Sequence, residues 1–199
     1  MAALDNATDE GLLQRIAGGD RDAMSALFRR RQQNVFRFAL HLTGSPAVAD
    51  DVTQDVFVAV IRDAARFEAG RSTVTAWLCG IARNFVRRRI AADRDIDPLE
   101  EDAIEIVANG VDPLGDLTQS ERLEALRKAV LSLPLRYREA VVLCDLQEMS
   151  YDEAATALGC PVGTVRSRLH RARALLTAKM QAEQEPQMTA REVITRCMA

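Results

Sequence analysis

Aromatic residues make up only 5% of this 199-residue chain, with one Trp, two Tyr and six Phe. With 48% hydrophobic residues overall, any core must be aliphatic, which suits small helical domains. The four cysteines, Cys79, Cys144, Cys160 and Cys197, include no CxxC pair, so neither a zinc site nor a disulfide framework is indicated. Reduced thiols in a cytosolic protein are the simplest reading. The two histidines, His41 and His170, have no metal-ligand neighbours. The chain also lacks a phosphate-cradling Gly-rich loop, a nucleophile elbow and paired catalytic carboxylates. It offers no active site, and no cofactor, metal or small-molecule substrate is expected. No apolar run approaches membrane-spanning length, and the first residues lack a basic-then-apolar signal pattern. A cytoplasmic protein, neither secreted nor inserted in a bilayer, is expected.

The net charge of −3 conceals a segregated layout. Asp93, Asp95, Asp97, Glu100, Glu101, Asp102, Glu105, Asp112 and Asp116 crowd one span, in which Arg94 is the only base. Arg83, Arg87, Arg88 and Arg89 precede it. Between Ala154 and Ala182 there is no Asp or Glu, while Arg166, Arg168, His170, Arg171 and Arg173 cluster there. A one-sidedly cationic segment in an acidic protein calls for a polyanion, and DNA fits best.

Helical periodicity dominates, and strand signals are nearly absent. Leu12, Leu13 and Ile16 open a helix that Gly18 and Gly19 stop. A second is predicted from Asp22 to Leu42, with Met24, Leu27, Phe28, Val35, Phe38 and Leu42 inward. A third spans Ala47 to Ala65 on Val48, Val52, Val56 and Val60. After a loop from Phe67, Ser72 or Thr73 caps a fourth, carrying Trp77, Leu78, Ile81, Ala82 and Phe85. Trp77 reads as core, since Ile81 and Phe85 follow it at i+4 and i+8. The acidic span, with Pro98, Gly110, Pro113 and Gly115, reads as a linker with one helical turn near Ala103–Val107. Helices resume at Ser120 on Leu123, Leu126, Val130 and Leu133, then at Tyr137–Leu146 and Tyr151–Leu158. The expected architecture is all-α: two small helical domains over residues 1–92 and 119–182, an acidic flexible linker over 93–118, and a tail over 183–199.

The segment from Tyr151 to Val165 has the layout of a helix-turn-helix. Ser150 caps its first helix, Ala154 and Ala155 permit close helix approach, and Gly159 permits the tight turn. Val162, Val165, Leu169, Ala172 and Leu176 share one face of the second helix. The opposite side presents long donors suited to the major groove, Arg166, His170 and Arg173, flanked by Ser167 and Arg171. Thr164, near the helix start, can cap it or meet a phosphate.

Several of these motifs, in order, resemble the extracytoplasmic-function (ECF, group IV) sigma factors of the sigma-70 family. Cys160 to Arg168, followed by Arg171-Ala172-Arg173, is similar to the family's −35-reading region, and Leu131 to Arg138 to the opening of that domain. Ala49 to Phe57 resembles its core-polymerase-binding helix. Ala76-Trp77-Leu78 with Ile81-Ala82-Arg83-Asn84 resembles its −10-reading helix. The likeness spans residues 8–180. Thr53, apolar in many relatives, departs from the pattern.

The resemblance implies roles. Asp50, Asp51, Gln54, Asp55 and Val58 would bind core RNA polymerase at the β′ coiled coil, with the β flap as a second polymerase contact. Asp51, Gln54, Asp55 and Val58 do share a polar-acidic ridge opposite the valine stripe. Phe67, Glu68, Arg71 and Ser72 would capture an unstacked −10 base, small neighbours leaving room for it. On the adjoining helix Arg83, Arg87 and Arg88 would hold phosphates and Asn84 read a base. Thr164, Arg166, Ser167, His170, Arg171 and Arg173 would read −35 duplex DNA. The linker would thread through the polymerase toward the RNA exit path. An anti-sigma factor is implied as a regulatory partner. The function expected is an alternative sigma factor directing promoter-specific initiation. A repressor using only the C-terminal motif, or a helical ligand sensor, are the rival readings.

Overall fold

The computed structural model describes residues 6–93 and 119–182. The expected linker, its turn near Ala103–Val107 and the tail lie outside the described residues. Among those described, the elements are helical and no strand forms: α1 (Asp9–Ala17), α2 (Arg21–Thr43), α3 (Pro46–Asp63), α4 (Val74–Asp93), α5 (Gln119–Leu131), α6 (Leu135–Val141), α7 (Tyr151–Leu158) and α8 (Val162–Ala182). A short 3₁₀ turn, Ala64–Arg66, follows α3, and a π-type turn, Val142–Leu146, extends α6.

Local chemistry sets the helix starts. Thr8, Asp20 and Ser45 accept backbone N–H bonds as caps of α1, α2 and α3, with Pro46 in the first turn of α3. Of the two candidate caps for α4, Thr73 takes the role, its Oγ1 accepting from the Ala76 N–H at 3.3 Å. Ser72 instead donates to the Thr73 carbonyl. Ser150 and Glu153 form a reciprocal capping box on α7, and Gly159 ends that helix in the left-handed conformation at φ 61°.

The apolar stripes pack much as the periodicity predicts. Leu12, Leu13, Ile16, Leu27, Val35, Phe38, Leu42, Val52, Val56, Val60, Leu78 and Ala82 are buried. Three positions depart from expectation. Phe28 lies at the flank of α2, exposed and edge-on to Phe57 at 4.8 Å between centroids. Leu123 and Leu126, expected inward, are 48% and 38% exposed. The buried side of α5 lies toward its C-terminus, at Ala129 and Val130.

The two halves do not stand apart. One continuous buried cluster joins α1–α4 to Leu135, Val142, Leu143, Met149, Ala154, Ala157 and Leu158 of the second half. A smaller cluster, Leu133, Tyr137, Ala140, Val141, Leu169 and Ala172, fixes α8 on α6. Helix α4 packs along α7. Gly80 makes this possible, since a Cβ there would lie 3.4 Å from the Ala157 carbonyl oxygen. Side-chain bonds also cross the junction: Arg138 donates to the Leu42 carbonyl at the end of α2, and Thr73 to Glu153.

Candidate nucleic-acid interface

Helix α8 carries the cationic face that the sequence placed there. Val165, Leu169 and Ala172 are buried, so the opposite side, Arg166, Ser167, His170, Arg171 and Arg173, faces solvent. Thr164 is half-buried in the first turn, its carbonyl accepting from the Ser167 hydroxyl at 3.0 Å. Not every donor hangs free. The Arg166 guanidinium sits over the Tyr151 ring, 5.5 Å from its centroid. Arg173 pairs with Asp145 at 2.6 Å, which raises its pKa. Burial of the Tyr137 phenol opposes its ionisation, but hydrogen bonds from Arg171 and Arg136 outweigh this and hold its pKa below the ordinary value. The face is therefore preorganised: its long side chains are aimed by neighbours on α6 and α7 rather than left to sample rotamers.

The loop and helix assigned to single-stranded DNA are arranged differently. Phe67 is half-buried edge-on against Trp77, with centroids 5.6 Å apart. Trp77 is thus packed against the core, as its spacing predicts. Glu68 and Arg71 pair with each other at 2.9 Å on the exposed turn, and that bond raises the Arg71 pKa. Ser72 is bonded locally. Asn84 and Arg88 are exposed on α4. Arg83 and Arg87 are not open to solvent as a phosphate-holding pair would be. Their Nε atoms lie 2.9 and 2.8 Å from Oε1 of Glu139, a carboxylate of α6 that is fully buried.

On α3, Asp50, Asp51, Gln54 and Val58 are exposed and Asp55 is half-buried. Asp51 and Asp55 share Arg89 of α4, at 2.9 and 2.6 Å, and the two carboxylates raise its pKa. Val58 is 66% exposed, and Ile61, three residues on, is 60% exposed. An acidic ridge ending in two bare aliphatic side chains is an anchor for a protein partner. Thr53 lies on the buried side, where its hydroxyl donates to the Ala49 carbonyl at 2.7 Å. The departure from an apolar residue is therefore satisfied within the helix.

Sequence reasoning missed Ile61, Arg89, Tyr137, Asp145, Tyr151 and above all Glu139. Ile61 repeats the spacing of Gln54 and Val58 and could have been found. Glu139 shares the apolar stripe of Leu135, Val142 and Leu143, and a carboxylate in such a stripe signals a buried partner. Cys79 is buried and its thiol pKa is pushed up to about 12, which makes it unreactive. Among the described residues no group of His, Cys, Asp and Glu is placed to hold a metal ion, and no helix is long and apolar enough to cross a membrane.

The sigma-70 region 2 family model matches residues 27–95, and the sigma-70 region 4 model matches residues 123–176. The chain is 38% identical over 165 residues to the ECF RNA polymerase sigma factor SigE of Mycolicibacterium smegmatis, covering 79% of this chain and 62% of that protein. It thus spans less than two thirds of that relative. It is 34% identical over 187 residues to the ECF RNA polymerase sigma-E factor of Escherichia coli K12, covering 87% and 95%. Among solved structures it resembles CnrH in complex with the cytosolic domain of CnrY, with 28% identity, a TM-score of 0.66 and coverage of 88% and 98%. It also resembles the sigma factor RpoE in complex with the anti-sigma factor NepR from Bartonella quintana, with 29% identity, a TM-score of 0.59 and coverage of 77% and 94%. With both helical domains matched in order and relatives aligned across nearly their full length, the chain belongs to the extracytoplasmic-function RNA polymerase sigma factors of the sigma-70 family.

Proposed function

We propose that the protein is an alternative sigma factor acting in the cytoplasm as a specificity subunit rather than a catalyst. The α3 ridge of Asp50, Asp51, Gln54, Asp55 and Val58 docks on the β′ coiled coil of core polymerase, and the second domain on the β flap. The Phe67–Ser72 loop with Arg83, Asn84, Arg87 and Arg88 takes the opened −10 strand. Thr164, Arg166, Ser167, His170, Arg171 and Arg173 read the −35 duplex, and an anti-sigma protein holds the chain when it is not needed. Both solved relatives named above were captured with a regulatory protein chain, which supports that last partner.

The observation that carries this reading is the solvent face of α8. It places two arginines and a histidine, Arg166, His170 and Arg171, on one helix side directly after a tight left-handed turn. Each cation–phosphate contact in duplex DNA adds about 0.9 to the slope of log affinity against log salt. The test is to mix the purified chain with core polymerase and promoter DNA. Co-purification with core and promoter-specific RNA synthesis are expected. Failure to associate with core, or equal transcription from intact and scrambled −35 elements, overturns the proposal.

A further inference from the structure

Glu139 is a carboxylate fully withdrawn from water, and its partners come from the other domain. Arg83 is only 15% exposed, and both guanidiniums converge on the same oxygen. Taking a carboxylate out of water is expensive unless cations meet it with good geometry, and here two do. A carboxylate held by two guanidiniums is also the arrangement that a backbone phosphate takes when arginines bind it.

We propose that the second domain is an intramolecular competitor for the −10 face, with Glu139 occupying the phosphate seat formed by Arg83 and Arg87. This rests on the reading of those two arginines as DNA contacts. The closed chain cannot offer them to DNA, because the same N–H groups cannot serve Glu139 and a phosphate at once. Further contacts hold the closed register. Gly80 lies against Ala157, Thr73 donates to Glu153 at 3.0 Å, and Arg138 donates to the Leu42 carbonyl. Val58 and Ile61 on α3 stay exposed throughout. Core polymerase can therefore dock on the closed chain, and separation of the domains then delivers Arg83 and Arg87 to the −10 strand.

Opening rehydrates Glu139 and both guanidiniums, which offsets much of the lost ion pairing. Glu139→Gln removes the charge while both arginines stay desolvated, so it destabilises only the closed form. Gly80→Leu wedges α4 from α7 without touching any charged group. Both full-length variants are compared with wild type by small-angle scattering and by binding of a fluorescently labelled single-stranded DNA of randomised sequence.

Each variant is expected to show a larger radius of gyration and roughly tenfold tighter DNA binding, since apparent affinity scales with the fraction of binding-competent chain. Adding Arg83→Ala and Arg87→Ala to the Gly80→Leu chain should abolish that gain. A compact Glu139→Gln variant would overturn the role of the carboxylate. An expanded Gly80→Leu chain that binds no tighter, yet weakens with the two alanines, would show that the arginines bind DNA but were never covered. If the two alanines change nothing in the expanded chain, the −10 assignment itself fails and the competition falls with it.

Discussion

Thr73 donates its hydroxyl to Oε1 of Glu153 at 3.0 Å, so the residue that caps α4 is bonded to the carboxylate that closes the capping box of α7. Two helix starts 80 residues apart in sequence are thereby tied at one point. Thr73→Ala removes both the α4 cap and this bond, and should lower stability by about 1–2 kcal/mol. In a chain of this size that is a fall in Tm of roughly 2–8 °C. Thr73→Ser, which keeps the hydroxyl, should restore most of the loss. Thermal unfolding followed by circular dichroism decides the matter, and an alanine variant as stable as wild type would show that the contact carries no energy.

The bare aliphatic end of the α3 ridge gives a second prediction. Val58 and Ile61 are exposed, so Val58→Glu with Ile61→Glu should leave the fold and Tm nearly unchanged. If these side chains anchor core polymerase, the pair of substitutions should weaken binding by about 2 kcal/mol or more, roughly thirtyfold. Titration of labelled protein with core polymerase measures this. Undiminished affinity would move the docking surface elsewhere.

Arg171 is exposed on α8 yet also bonds the Tyr137 phenol. Arg171→Ala should lose a base or phosphate contact worth about 1–3 kcal/mol and abolish −35-dependent transcription while core binding persists. Tyr137→Phe separates aiming from reading: it keeps the guanidinium but removes its tether. A loss smaller than that of the alanine variant is expected in transcription from an intact −35 promoter. Equal losses would mean that orientation is the whole contribution of Arg171.

How much of this was legible depended on whether a feature was local. Helix starts and stops followed from Asp20, Ser45, Ser150 and Gly159, whose chemistry acts within a few residues. The cationic side of α8 followed from 3.6-residue periodicity alone. What the sequence hid was set by contacts between distant segments. Nothing near Arg83 announces that Glu139, 56 positions later, will meet it. The packing of the two domains into one cluster rests on small surfaces, Gly80 against Ala157, that periodicity does not weigh. Leu123 and Leu126 were read as core because they fit a stripe, but that stripe meets a neighbour only near its C-terminal end.

Acidity should loosen the chain in two steps. Burial lowers the His41 pKa, the Arg127 and Arg37 charges adding to it against an opposing hydrogen bond to the Arg37 backbone. The folded chain thus accepts that proton less readily than the unfolded chain. His41 contributes stability in full above the unfolded value of about 6.5, and loses it as pH falls through that value toward the folded one. The Glu153 pKa is lowered by hydrogen bonds from the Ser150 backbone and hydroxyl, with the Thr73 hydroxyl adding. Its contribution is present above the unfolded value of about 4.3 and disappears as pH drops below it. Tm measured from about pH 7.5 to about pH 3.5 should therefore fall first near neutrality and again in the carboxylate range. His41→Gln should erase the first fall and leave the second. Since Arg127 comes from the second domain and His41 from the first, a first fall that survives in the glutamine variant would show that this junction does not sense protons at His41.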